Sequence, residues 1–251
     1  MTVNWKKSII VICDIVIAAY LLLAVTAFNK PDMKATHCSE VKIDITETMV
    51  DGFMNAGEIK RILTQEKIYP LSQPMASINP RKIEETLEKS PFVEKAECYK
   101  TLSGHVCINI QQRIPVVRVM PGNGENYYVD IHGNLMPENR YVTDLIIATG
   151  AITHKYAQNT LTRVANHIMQ NHFWKNQIVQ INVLDNGTME IVPRVGDHII
   201  YLGAPSHVDK KLERLRKFYL YGLNKAGWNK YSYISVEFDN QIICKKNNRK
   251  K

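Results

Sequence analysis

Residues 90–112 read SPFVEKAECYKTLSGHVCINIQQ and give the strongest indication of the fold in the first half of the chain. It predicts a β-hairpin with one strand over 92–101, a turn at Ser103-Gly104 and a return strand over 105–112. The return strand places an apolar residue at every second position: Val106, Ile108 and Ile110. This is the period of a strand with one buried face, so the hairpin needs a layer packed against it.

The residues ahead of the hairpin supply that layer. Residues 40–46 alternate polar and apolar side chains and predict a further strand. Two helices follow, one over 57–67 and one that begins with Asn79-Pro80, an N-cap residue followed by a first-turn proline, and ends at Ser90-Pro91. The order β-α-α-β-β over 40–112 predicts a three-stranded sheet covered on one face by two helices.

The second half, 113–244, is mostly strands with two helices packed on them. One helix is predicted over 159–173, and a second begins at Ser206 with Asp209 as a capping pair. The Tyr-rich segment 231–244 predicts a long terminal strand or a hairpin. The fold class predicted for the chain is α+β.

An apolar run over 8–28 stands apart from these domains. As a helix it rises roughly 31 Å, about the thickness of a bilayer's hydrocarbon core, and it predicts a single transmembrane anchor. Lys6 and Lys7 precede it, so 1–7 is expected in the cytoplasm, with a linker over 29–39 and everything beyond it across the membrane. The alternative is a signal peptide cleaved near residues 25–27. Asp14 within the run either reaches the headgroups or contacts another membrane helix.

The net charge of +8 does not indicate nucleic-acid binding, because five of the basic residues lie in the tail 245–251. That tail is either a disordered solubilising end or a surface-binding arm. Beyond Cys13, the four cysteines are expected in a compartment that permits disulfides, and both free thiols and pairings stay open: Cys38, Cys98, Cys107 and Cys244.

Catalytic motifs are missing from the sequence. His167 and His172 are five residues apart, which does not align two metal ligands on a helix face. The sequence contains neither a G-x-S-x-G nucleophile elbow nor a phosphate-binding glycine loop. We therefore predict no catalytic residue, no metal site and no cofactor, and we expect an anchored binding module.

Four segments, in this order, resemble known motifs. Residues 90–96 are similar to the P-[FYW]-V-x-x-A signature of a POTRA domain, and 112–116 to the [EQ]-R-x-P-[VI] that ends it. Residues 127–137 resemble the Y-x-x-D-x-x-G segment of a following domain, and 234–241 a terminal strand motif. The ordered set resembles the bacterial FtsQ/DivIB family. The motif residues are expected to be structural: Pro91, Val93, Arg113, Pro115, Tyr128, Asp130 and Gly133.

The resemblance implies a non-enzymatic divisome scaffold at the septum that helps control septal peptidoglycan synthesis. Its implied partners are FtsB and FtsL, with FtsK and the septal synthase FtsW/FtsI as further candidates, and its implied place is the inner membrane with the bulk of the chain in the periplasm. The partner strand would join a terminal edge over 233–243. The expected contact residues are Tyr233, Ser235, Glu237, Phe238, Asn240 and Ile242.

Two positions of the terminal motif depart from the family pattern. Ser235 stands where the family often has Asp, and Glu237 stands where Arg is usual, which reverses a charge on the expected contact face. Two other classes remain as alternatives. One is a POTRA-type adaptor for protein transport or assembly at the envelope, and the other is a membrane-anchored hydrolase.

Overall fold

The computed structural model describes residues 5–28, 36–46, 54–138 and 145–247. The first helix, α1 (Trp5–Phe28), leaves nearly all of its described side chains exposed. Nowhere in these ranges does a helix combine the length and the apolar character that a membrane crossing requires. The predicted transmembrane anchor over 8–28 is therefore wrong, and so is the single-pass inner-membrane placement with its cytoplasmic N-terminus and periplasmic bulk.

The first module has the predicted β-α-α-β-β order. Its elements are β1 (Glu40–Ile45), α2 (Ala56–Gln65), α3 (Pro80–Leu87), β2 (Val93–Lys100) and β3 (His105–Gln112). The strands form a three-stranded sheet in the order β1-β3-β2, with β1 parallel and β2 antiparallel to the central β3. The hairpin that the sequence predicted over 92–112 is confirmed.

Local sequence fixes the two helices of this module. The side chain of Asn55 accepts a hydrogen bond from the Glu58 amide, and that of Asn79 accepts one from the Lys82 amide, so each helix has an N-cap. Ile59 and Leu63 of α2, and Ile83 and Leu87 of α3, are buried against Val106, Ile108 and Ile110 of β3 in one core.

Over the described residues from 114 onward, the second module forms one nine-stranded sheet with helices between its strands. Its strands are β4 (Pro115–Pro121), β5 (Tyr127–Asp130), β6 (Leu135–Pro137), β7 (Ile146–Gly150), β8 (Ile178–Val183), β9 (Met189–Pro193), β10 (Ile199–Gly203), β11 (Tyr231–Ser235) and β12 (Ile243–Lys246). Across the sheet the order is β12-β11-β10-β9-β8-β7-β4-β5-β6, so β12 and β6 are its edges.

Two helical segments connect these strands. The first comprises α4 (His154–Tyr156), a π-helical turn (Ala157–Leu161), α5 (Thr162–Gln170) and α6 (His172–Gln177). The second comprises α7 (Val208–Phe218), another π-helical turn (Tyr219–Leu223) and α8 (Asn224–Ala226). The predicted capping pair of Ser206 and Asp209 is wrong. His207, in a left-handed conformation with φ 50°, is the N-cap residue, and its side chain makes no capping hydrogen bond.

The helices cover one face of the sheet. Leu161 and Ile168 from the first segment and Leu212 and Leu215 from α7 are buried in one core with the inward side chains of the strands. The opposite face stays open over most of its width, with residues such as Ile147 and Ile199 exposed. At the β5–β6 end, Tyr128 and Met136 pack against Phe92 of the first module, so the two modules share a small apolar cluster.

The hairpin register separates two of the cysteines. Cys98 pairs with Ile108, and Cys107 pairs with Tyr99, so the two cysteines point to opposite faces of the sheet. All five thiols are free. Burial raises the pKa of the Cys98 thiol to about 12, so this cysteine is a protonated core residue at neutral pH.

Candidate partner-binding edge

The edge strand β12 (Ile243–Lys246) hydrogen-bonds to the rest of the sheet through β11 on one side. The pairing is antiparallel, with Ser235 opposite Ile243, Ile234 opposite Cys244 and Tyr233 opposite Lys245. Its other side faces outward, and a strand edge of this kind offers unpaired N–H and C=O groups to an incoming chain. The edge can therefore bind an extended peptide by strand addition.

The predicted edge over 233–243 differs from the observed one. Tyr233 and Ser235 lie in β11, which pairs with β10 on one side and with β12 on the other, so this strand lies one position inside the sheet. The terminal segment is the hairpin that the sequence left as an alternative to a single strand. The edge itself begins at Ile243 and extends to Lys246, three residues beyond the predicted limit.

The remaining predicted contact residues lie in the connection between β11 and β12. Phe238 exposes half of its surface, and Asn240 adopts a left-handed φ of 62°, which closes the turn of the hairpin. Ile242 packs partly against the core, whereas Glu237 is half-buried. The structure brings Phe238 and Asn240 together in an exposed loop and gives Ile242 a core position.

Two basic residues of α7 donate hydrogen bonds to the ends of β11 and β10. Arg214 donates a hydrogen bond of 2.7 Å to the carbonyl oxygen of Val236, at the end of β11, and lies 3.4 Å from the carboxylate of Asp239 in the loop. The ammonium of Lys211 is buried and donates to the carbonyl oxygens of Leu202 (3.0 Å) and Ala204 (2.7 Å), at the end of β10. Helix α7 thus holds the ends of both strands that precede the edge.

Burial also acts on the ionisation of these groups. Desolvation lowers the pKa of the Lys211 ammonium below its usual value, and the nearby carboxylate of Glu237 opposes that shift. Gly203 allows Glu237 to approach, because a Cβ atom there would lie 2.7 Å from Cγ of Glu237, and its φ of +69° already favours glycine. The β10 end is therefore closely packed against the loop that leads to β12.

The open face beside the edge carries an aromatic pair. Tyr201 of β10 and Tyr233 of β11 stack with ring centroids 6.0 Å apart and an interplanar angle of 24°. Burial, together with the carboxylates of Glu190 and Glu237, raises the pKa of Tyr233 to about 12. The phenol is therefore neutral over the whole physiological range, and it presents a flat apolar surface next to Lys245 of the edge strand.

The predicted motif residues meet at the junction of the two modules. Arg113, between β3 and β4, lies 3.0 Å from the buried carboxylate of Asp130. That carboxylate also accepts hydrogen bonds from the amides of His132 (2.9 Å) and Asn134 (2.7 Å). Burial pushes the pKa of Asp130 upward, but the hydrogen bonds from Asn134, Arg113 and the His132 amide outweigh it, and the pKa lies below its usual value.

The other motif residues surround this ion pair. Val93 is fully buried, and its amide donates to the carbonyl oxygen of Ser90 across the turn that contains Pro91. The guanidinium of Arg118 lies 5.7 Å from the ring centroid of Tyr128 in the shared cluster. Gly133 follows Asp130 with φ +87°, and a Cβ atom there would lie 2.4 Å from the carbonyl oxygen of Gln158. Pro115 begins β4.

Within the described ranges, no three His, Cys, Asp or Glu side chains are arranged to hold a metal ion. The sequence did not predict that Lys211 and Arg214 hold the strand ends beside the edge. Lys211 follows Val208 by three residues and precedes Leu212, so it lies on the apolar stripe of α7. A charged residue on such a stripe is the signal that would have indicated a buried ammonium with carbonyl partners.

A three-stranded module with two helices, joined to a mixed sheet, defines a two-module α+β protein with a POTRA-like first part. Comparison with known families agrees with this class. A model described as POTRA-like domain matches residues 36–111, and one described as FtsQ/DivIB, C-terminal related, matches residues 114–245, more than half of the chain. The chain therefore belongs to the FtsQ/DivIB family. No curated protein matches the sequence significantly.

This family is a non-enzymatic component of the divisome, and the two matched domains indicate a role as a cell-division scaffold.

Proposed function

We propose that the chain acts as a divisome scaffold that binds FtsB and FtsL, and that one of them adds a strand to β12. The observation that carries the proposal is the position of β12, which pairs with β11 on one side and ends the sheet on the other. Backbone hydrogen bonds along this edge fix a partner in register, and the alternating side chains supply specificity.

Helix α7 supports the same proposal. Because Arg214 and Lys211 tie the ends of β11 and β10 to one helix, the hairpin is held in place before a partner arrives. A pre-ordered edge loses less conformational entropy on binding than a free C-terminal segment does. The resemblance also implies FtsK and the septal synthase FtsW/FtsI as partners, and these remain predictions without an assigned surface.

The test is co-purification of FtsB and FtsL with the tagged full chain from the same host cells. A chain that stops after Asn240 lacks β12 but keeps β11 paired with β10, and it should lose FtsB capture. The matched control stops after Asn247, so it lacks only residues 248–251 and retains the edge strand. A thermal melt checks that both truncated chains fold.

Capture that survives the shorter truncation unchanged would remove β12 as the binding site. If the full chain captures neither partner, the scaffold proposal itself fails. Cells that depend on the chain lacking β12 should grow as filaments, because an unbound scaffold cannot support septum formation.

A further inference from the structure

The two faces of β12 carry different side chains, and the pairing with β11 determines which is which. Ile234 is fully buried against the helices, so Cys244 opposite it also points toward them. Ile243 and Lys245 must then lie on the open face of the sheet. Ile243 exposes half of its surface, so this edge begins with an uncovered apolar side chain.

Beyond Ile243 the edge becomes basic. Lys245 and Lys246 are both exposed and lie on opposite faces of the strand, because a register shift places Lys246 opposite Tyr231, whose ring packs against Phe218 of α7. Lys230 adds a third ammonium at this end, 5.8 Å from the ring centroid of Tyr231. In the part of the chain that the structure describes, no carboxylate forms an ion pair with any of these three lysines.

The other end of the same edge is acidic. Glu237 and Asp239 lie in the loop that connects β11 to β12, just before Ile243. Arg214 lies beside Asp239 but leaves that carboxylate largely exposed. Along this edge, an acidic loop is therefore followed by the exposed side chain of Ile243 and then by the two lysines of β12, with Lys230 near them.

We propose that the strand that adds to β12 carries two successive acidic residues beside Lys245 and Lys246 and an apolar residue beside Ile243. This inference rests on the proposed function and specifies the chemistry of its partner. Successive residues of a strand point to opposite faces, so an acidic pair meets both lysines at once. Acidic residues beside the Glu237 end would be repelled, so the charge pattern also selects the register of the added strand.

The test uses the intact chain with a strand segment fused to its C-terminus through a 12-residue Gly/Ser linker. The linker gives the segment an effective concentration of about millimolar, so that even weak pairing is detected. Two segments carry the acidic pair and the apolar residue in the two possible orders, and two others carry lysines instead of the acidic residues. Amide hydrogen exchange within residues 243–246 reports the pairing.

Of the two segments that carry the acidic pair, one should slow amide hydrogen exchange in β12 at least fivefold relative to the segments that carry lysines. Lys245→Glu combined with Lys246→Glu should reverse this preference. The matched control, Lys210→Glu with Lys225→Glu, makes the same change of net charge at exposed positions of α7 and α8 and should leave the preference intact. The order that pairs also reveals whether the added strand runs antiparallel or parallel to β12.

If the acidic and lysine segments protect the β12 amides equally, or if no segment protects them, the inference of an acidic partner strand is wrong. The proposed function would be unaffected by that result as long as FtsB capture by the full chain depends on β12. Capture that is independent of β12 would instead overturn the proposed function. The two failures are therefore distinguishable.

Discussion

His198, directly before β10, is a buried histidine. Its Nε2 lies 2.8 Å from the hydroxyl of Tyr219, while the buried Nδ1 has no hydrogen-bond partner among the residues that the structure describes. Tyr219 in turn packs edge-on against Trp174 and Trp228. Burial lowers the pKa of His198 below its usual value, and the carboxylate of Asp197 opposes that shift. The folded core therefore favours the neutral form of the His198 imidazole.

This residue predicts a pH dependence of stability. The unfolded chain binds a proton at His198 near pH 6.5, whereas the folded chain binds it only at lower pH, so the free energy of unfolding should fall as the pH drops below 6.5. One proton contributes at most about 1.4 kcal/mol per pH unit. Urea unfolding of the wild type and of His198→Gln, at pH 7.5 and 5.5, measures the difference between the two slopes.

The glutamine variant keeps an amide near the Tyr219 hydroxyl but cannot titrate, so its stability should depend less on pH in this range. Tyr219→Phe serves as a second variant because it retains the titrating imidazole and removes only the hydroxyl. Identical pH slopes for the wild type and the glutamine variant would exclude His198 as the responsible group.

At the scale of elements, α3 closes one edge of the first sheet. The carboxylate of Glu84 accepts a hydrogen bond of 2.7 Å from the amide of Cys98, and that of Glu88 accepts one of 3.2 Å from the amide of Ala96. Both amides belong to the outer side of β2. Side chains from the covering helix therefore take the place of a neighbouring strand, which is one way in which proteins protect a sheet edge.

Removing both carboxylates should open this edge. We expect Glu84→Ala with Glu88→Ala to destabilise the module by about 1–3 kcal/mol, because two amides lose their acceptors, and to promote concentration-dependent self-association. Analytical ultracentrifugation and chemical unfolding measure the two effects. Glu85→Ala is the control, since its carboxylate is exposed and pairs with Arg81. A double variant that remains monomeric at all concentrations would contradict the protective role.

The sequence predicts those features of the helices and strands that depend on adjacent residues, such as helix caps and tight turns. Asn79-Pro80 begins a helix and Ser103-Gly104 lies in the turn that joins β2 to β3, because caps and tight turns depend on a few adjacent residues. The order of nine strands in one sheet depends on contacts between distant segments, and no adjacent residues encode it. The same limit explains why the sequence predicts one terminal edge over 233–243, whereas the structure has β11 inside the sheet and β12 at its edge.

At the scale of the whole molecule, the contact between the modules depends on Arg113 and Asp130. The amide of Arg113 also donates to the carbonyl oxygen of Phe92 at 2.9 Å, and His132 lies 3.1 Å from Glu94 across the same junction. Sequence motifs identified Arg113 and Asp130 separately, and the fold brings them into one ion pair. The partners of that pair were beyond prediction because they lie 17 residues apart and on different elements.

Arg113→Met tests this junction. The variant retains the aliphatic stem but removes one of the hydrogen bonds that lower the pKa of Asp130. The contribution of this carboxylate to stability is present above its unfolded pKa near 3.9 and is lost as the pH falls through its lower folded value. With Arg113 removed, the folded pKa rises, so acid unfolding should begin at a higher pH than in the wild type.

Acid titration followed by circular dichroism measures this shift. Arg81→Met is the control, because Arg81 is exposed and forms its ion pair within one helix. An unchanged acid midpoint for Arg113→Met would show that the amides of His132 and Asn134 hold the carboxylate without the guanidinium.

The parallel pairing of β1 with β3 has a kinetic consequence. Glu40 pairs with His105, so 65 residues separate the two strands along the chain, whereas β2 and β3 are joined by a short turn. Loop closure over such a distance is slow compared with hairpin formation. The strand that comes first in the sequence of this module is therefore expected to be the last to join its sheet, and until it docks, one side of β3 remains available to other chains during folding.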